Sequence, residues 1–217
     1  MVRHYPRHLR VLAVGLAGLA GFVDAIAFLQ LGGFFVSFMS GNSTRLGVGL
    51  VQAGGVAATA AGLVVSFVAG VVLGSLTGRR AGFRQRSAVL ALVVLLLTAA
   101  GLVQNLGQWL AGGLLLAMAM GAENAAFERD GQASFGVTYM TGALVRVGQG
   151  LATAATGGDR WGWTPYLFLW LGLVGGAWAG ALAFAFAGGA SVWIATLCAA
   201  LLFTASLSAE RVSHKGL

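Results

Sequence analysis

Charge is what this chain has least of: 13 Lys and Arg with 6 Asp and Glu make up 9% of 217 residues, against about 25% in soluble domains. So little polar surface cannot coat a globule in water, and a soluble fold is excluded. Cysteine is almost missing. Cys198, the only one, lies in an apolar run, which rules out an internal disulfide framework or a cysteine metal site. Histidine occurs as His4, His8 and His214, in the polar ends; these read as solvated tails, and no metal or cofactor is expected. Enzyme signatures are lacking as well. There is no H-E-x-x-H, no G-x-x-x-x-G-K, and no Ser placed with a His inside an apolar run, so no catalytic residues are expected. The basic residues have no separate polar domain behind them. Anionic lipid headgroups account for them, and nucleic acid is not an expected partner.

What the chain has instead is apolar length, with 58% hydrophobic residues and a mean hydropathy of +0.86. Long apolar segments run over roughly 9–31, 56–78, 88–107, 110–130, 165–187 and 191–208, each near the ~20 residues that cross the hydrocarbon core as a helix. The expected class is an all-α integral membrane protein with six transmembrane helices. The opening "MVRHYPRHLR" resembles a signal peptide's charged start, but the apolar run behind it reaches Leu31 and contains Asp24, so an uncleaved first span is expected. Trp109, Trp161, Trp163 and Tyr166 stand beside span ends, where amphipathic rings prefer the membrane interface.

Two stretches interrupt this pattern, and they resemble each other: "FMSGNSTRLGVGL" at 38–50 and "YMTGALVRVGQGL" at 139–151. "GFVDA" at 21–25 returns as "GAENA" at 121–125, and Gly70, Gly74 and Gly78 return as Gly172, Gly176 and Gly180. Offsets of 100, 101 and 102 across three features argue for two homologous halves. The halves are read as 1–107 and 108–217, each a span, a short polar helix (about 40–54 and about 140–156) and two more spans. The glycine ladders are read as helix-packing seams, since small residues every fourth position let helices approach closely.

Charge orients the halves. Arg3, Arg7 and Arg10 precede the first span, and Arg79, Arg80, Arg84 and Arg86 follow the second. Placing both groups on the cytoplasmic side requires the first polar stretch to enter the membrane and return. Six crossings then put every Lys and Arg except Arg45 and Arg146 on the cytoplasmic side, with both termini. Three crossings per half make the repeat an inverted one, with the two short helices meeting near the midplane as re-entrant or broken half-helices.

Irregular backbone at that depth is tolerated only where protein buries it or water lines it. Gly32, Gly33 and Gly41, and Gly131, Gly136 and Gly142, stand where the chain must turn. Ser40, Asn42, Ser43 and Thr141 offer oxygens as N-caps, and the helix ends attract negative charge. Arg45 and Arg146 follow within a turn or two. Asp24 lies deep in the first span, where an unpaired carboxylate costs about 2.5–3.5 kcal/mol; its mate is Asn124, with Glu123 beside it. Two readings of the carboxylates stay open: fixed ion pairs of Asp24 with one arginine and Glu123 with the other, holding the short helices, or gate partners and proton carriers in transport. Thr138 completes the substrate-binding or gating set of Asp24, Ser40, Asn42, Arg45, Glu123, Asn124, Thr138, Thr141 and Arg146.

"GFVDAIAFLQLGGFFVSFMSGN" and "VTYMTGALVRVG" together resemble the paired motifs of the YoaK-like family of uncharacterised bacterial membrane proteins, over most of the chain. Gly21, Asp24, Ser40, Gly41, Asn42, Thr141 and Gly142 carry the match. The resemblance implies a multi-pass protein of the bacterial cytoplasmic membrane and brings no activity with it. From the residues themselves the expected function is a small secondary transporter or channel for a small anionic or polar solute. Two alternatives remain open: a cationic solute held by the intramembrane carboxylates, and a non-transporting membrane scaffold. The lipid bilayer and a solute are the expected partners, and six spans leave room for a homodimer through a glycine seam.

Overall fold

In lipid every backbone N–H and C=O must be paired within the chain, which favours helices. The computed structural model describes residues 6–52, 54–129, 132–133 and 139–215. Within them lie α1 (Arg7–Gln30), α2 (Met39–Gly49), α3 (Val56–Ala81), α4 (Gln85–Asn105), α5 (Trp109–Asn124), α6 (Met140–Ala155), α7 (Thr164–Ala187) and α8 (Ser191–Lys215). A two-residue antiparallel pair, Glu128–Arg129 with Gln132–Ala133, follows α5. Four stretches, Arg7–Gln30, Val56–Asn105, Trp109–Phe127 and Thr164–Glu210, are long and apolar enough to cross a membrane; the second and fourth each join two helices. The six expected spans and both short helices are thus present as helices. Their ends differ in places. α2 stops at Gly49 rather than 54, and the chain turns through Gly54 at φ +128°, a conformation L side chains rarely adopt. α5 gives way after Asn124 to a 3-10 turn, Ala125–Phe127, short of 130.

The two halves interlock. α1 packs most extensively on α7, and α3 on α5, so each half finds its largest partner in the other. Glycines set these seams. A Cβ on Gly176 would overlap the Gly18 carbonyl, one on Gly180 would overlap that of Phe22, and one on Gly172 would come within 2.8 Å of Val14 O. Contacts climb both helices together, so α1 and α7 run parallel. In the same way a Cβ on Gly70 would overlap the Met118 carbonyl, and one on Gly74 would lie 2.8 Å from Ala122 O, so α3 and α5 run parallel. Gly78 packs against the start of α4 instead, 2.8 Å from Gln85 Cγ. The ladders are therefore seams between helices of one chain.

Register corrects the sequence alignment of the ladders. Gly21 would meet the Leu173 carbonyl and Gly121 that of Phe67, so equivalent positions on α3 and α7 stand 106 residues apart, although those on α1 and α5 stand 100 apart. The mates of Gly70 and Gly74 are Gly176 and Gly180, one helical turn beyond the expected pairing. Most of the shift arises because α6 has 16 residues where α2 has 11. A repeat every four residues hides a four-residue slip.

α8 runs antiparallel to α1, with Gly15 against Leu202 near one end and Gln30 beside Gly189 at the other. It is antiparallel to α4 as well. There Ser87 N–H donates to Glu210 Oε1 at 3.3 Å, its hydroxyl donates to Glu210 Oε2, and Gly101 packs on Trp193. One end of the bundle gathers Arg7, Thr164, Gln85 and Glu210. The other gathers Gln30, Gln104, Trp109 and Gly189. The core between them is built from Leu16, Ile26, Leu63, Leu90, Leu97, Leu116 and Met120, all fully buried.

Candidate functional site

Among the described residues Asp24 has no arginine partner. Its Oδ1 accepts the backbone N–H groups of Val36 and Ser37, both at 2.7 Å, and its Oδ2 accepts the Ser37 hydroxyl at 2.5 Å. The geometry follows from the turn behind α1. Gly32 and Gly33 take φ of +68° and +93°, so the chain reverses at the end of α1 and brings residues 34–38 back alongside it. Backbone donors in that buried returning segment would otherwise be orphaned. The carboxylate satisfies two of them.

Asn42 holds the same segment from the other side. Fully buried, it accepts the Phe35 N–H at 3.1 Å and donates to the Phe35 carbonyl at 2.6 Å. The turn before α2 is thus clasped by Asp24 from α1 and by Asn42 from α2 itself. The expected N-caps are not formed: Phe38 and Tyr139 stand at the cap positions of α2 and α6 without side-chain cap bonds. Ser43 instead donates to Met39 O and Thr44 to Ser40 O, each one turn back along α2. The negative charge expected at the start of α2 is the protein's own Asp24, which takes backbone donors just ahead of the helix.

The arginines lie elsewhere. Arg45 is half-buried, with its guanidinium 4.8 Å from the Phe34 ring centroid and so close to Gly33 that a Cβ there would lie 2.5 Å from a guanidinium nitrogen. Arg146 is exposed and stands 5.3 Å from the Tyr166 ring centroid. Both are cation–π arrangements, in place of fixed ion pairs with Asp24 and Glu123. Ser40 and Thr141 are exposed and do not reach the interior. Thr138 lies outside the described residues, as do Gly131 and Gly136.

Glu123 is fully buried, and among the described residues neither carboxylate oxygen has a hydrogen-bond partner. It lies within Coulombic range of Asp24. Asn124, its neighbour, donates to Met120 O at 2.9 Å and is nearly buried. Burying an ionised carboxyl without a partner costs far more than burying a neutral one.

A cavity of about 530 Å³ adjoins Asp24. Phe28, Phe35, Phe38 and Ser37 form one side, Met140 at the start of α6 another, and Leu173, Ala177 and Ala181 of α7 the back. The approach to α2 and the first residue of α6 therefore meet at one cavity beside α1. Among the described residues Asp24 is the charged one in its lining. Sequence reasoning found Asp24 but missed Ser37, the three phenylalanines and Met140; the signal was a deep carboxylate followed about a dozen residues later by a glycine-framed turn, which needs an acceptor.

Residues 12–205 match the model of a family described as a protein of unknown function, DUF1275. The chain belongs to this family. A DUF1275 assignment agrees with the YoaK-like resemblance, which is to the same family. Similarity extends to the UPF0700 transmembrane protein RA0705 of Rhizobium meliloti (strain 1021), 39% identical over 215 residues that cover 92% of this chain and 87% of the relative. No solved structure matches. Together with the apolar helices, this makes the DUF1275 chain a multi-pass membrane protein.

Proposed function

We propose that the protein is a small secondary transporter whose substrate is a small organic cation, bound in the cavity beside Asp24. The observation that carries this reading is the lining: one carboxylate, three phenylalanine rings and Met140, with both nearby arginines turned to other rings. An anionic solute would meet a carboxylate and no guanidinium. A cation with an apolar body would meet charge, ring faces and a thioether.

In the resting arrangement the Asp24 carboxylate is occupied by the donors of residues 36–37. A cation in the cavity competes with those donors for the carboxylate, loosens the turn before α2 and so couples occupancy to movement of the short helix. Glu123 is the second carboxyl of this reading, a proton carrier or gate partner for Asp24. An inverted repeat fits as the framework. Its support is that α1 and α5 meet head to tail, with Gly113 against Leu31, while their partners α7 and α3 exchange between halves. Both ends of the segment 31–55 lie at one end of the bundle, which supports a re-entrant α2. On this reading the Arg7 end faces the cytoplasm of a bacterial inner membrane, with both termini there.

Uptake of labelled amines and labelled anions into proteoliposomes tests the proposal. Amine uptake should be saturable, abolished by Asp24→Asn and retained in Arg45→Ala. Anion uptake that depends on Arg45 would overturn it, and no uptake of either class would leave a membrane scaffold as the better reading.

A further inference from the structure

A second cavity lies between α1 and α7, at the opposite end of the seam from Asp24. The two helices touch at Val14 and Gly172 and separate toward their N-termini, opening a groove of about 390 Å³. Val14 and Leu169 form its floor, and Val11 and Phe168 its sides. Arg7 and Arg10 stand at its mouth across from Thr164 and Pro165. Val11 is 72% exposed and Phe168 58% exposed, so the groove opens sideways, toward lipid in a membrane.

The mouth is positive and unmatched. Among the described residues no acidic side chain lines the groove, and neither guanidinium has a carboxylate partner. The Arg10 Nε is buried and makes no hydrogen bond to the described residues. Neither helix carries an acidic residue in its first turn, and both positive dipole ends begin here. From Arg7 to Val14 the groove runs seven residues, roughly 10 Å along the helix axis. Its walls could shelter part of an acyl chain while its mouth holds a phosphate.

We propose that this groove is a binding site for an anionic phospholipid, its phosphate between Arg7 and Arg10 and one acyl chain along Val11, Val14, Phe168 and Leu169. Planar guanidinium forks suit phosphate oxygens, and basic pockets between transmembrane helices favour anionic headgroups. The site is separate from the Asp24 cavity, and it stands or falls without the transport reading.

Thermal unfolding and native mass spectrometry of the full chain in detergent test it, with phosphatidylglycerol, phosphatidylcholine or inorganic phosphate added. Phosphatidylglycerol should raise the unfolding midpoint and survive as a bound adduct, while phosphatidylcholine and phosphate should not. Arg7→Gln with Arg10→Gln should weaken phosphatidylglycerol binding on the order of tenfold or more. The control pair Arg80→Gln with Arg84→Gln, which removes equal charge from the exposed last turn of α3 and the 3-10 turn after it, should leave it intact. Should the first pair fail to fold, Val11→Trp keeps both arginines and fills the groove, and it should abolish the response. Equal stabilisation by phosphatidylcholine, an effect reproduced by phosphate alone, a control pair as damaging as the test pair, full binding by Val11→Trp, or a second copy in place of lipid would each overturn the proposal.

Discussion

At the scale of single residues, the polar side chains of this membrane protein divide by what they hold. Asn42 holds backbone: its amide closes on both polar groups of Phe35. Asn42→Ala leaves a buried N–H and C=O unpaired, and thermal unfolding should show a loss of about 1–3 kcal/mol. Glu123 holds nothing that a hydrogen bond would register. Replacing it with methionine removes a buried polar group of similar size, so the unfolding midpoint should hold or rise while amine uptake in proteoliposomes falls. A midpoint that drops sharply would assign Glu123 a structural part instead. The sequence exposed Asp24, Asn42 and Glu123 because carboxylates and amides at membrane depth are rare. It could not expose their partners. An arginine is visible in a sequence as a counter-charge, whereas the N–H groups of Val36 and Ser37 belong to every residue and become donors only where the chain leaves a helix.

Elements show the same asymmetry. Span positions were legible because lipid imposes a length near 20 residues, and α1, α3, α4, α7 and α8 begin within a few residues of the expected starts. Partner choice was not legible, since a ladder of glycines declares a close seam without naming the helix across it. Two contrasting glycine environments make the point measurable. A Cβ on Gly121 would overlap the Phe67 carbonyl, whereas one on Gly175 would meet nothing within 4 Å. Gly121→Ala should push α5 from α3 and cost about 1–3 kcal/mol. Gly175→Ala should be neutral or gain up to roughly 1 kcal/mol from reduced backbone freedom. Unfolding of the two variants side by side decides whether the seam or general helix propensity governs stability.

For the whole molecule, six crossings place the turn after α3 and the turn after α4 on opposite faces of the membrane. Phe83 and Leu106, 65% and 79% exposed, report these turns without disturbing Gly82 and Gly107, whose φ values are positive. In a background lacking Cys198, cysteines at the two positions should react with an impermeant thiol reagent from opposite sides; reaction from one side alone would break the six-span arrangement. The exchange of partners between halves also bears on how the chain is made. α1 leaves the ribosome well over a hundred residues ahead of α7, the helix it fits best. At about 5–20 residues per second that is roughly ten to thirty seconds during which its bare glycine flank must be sheltered by lipid, insertase or a provisional neighbour. Biogenesis of this protein therefore includes an obligatory wait between the first helix and its best-fitting partner.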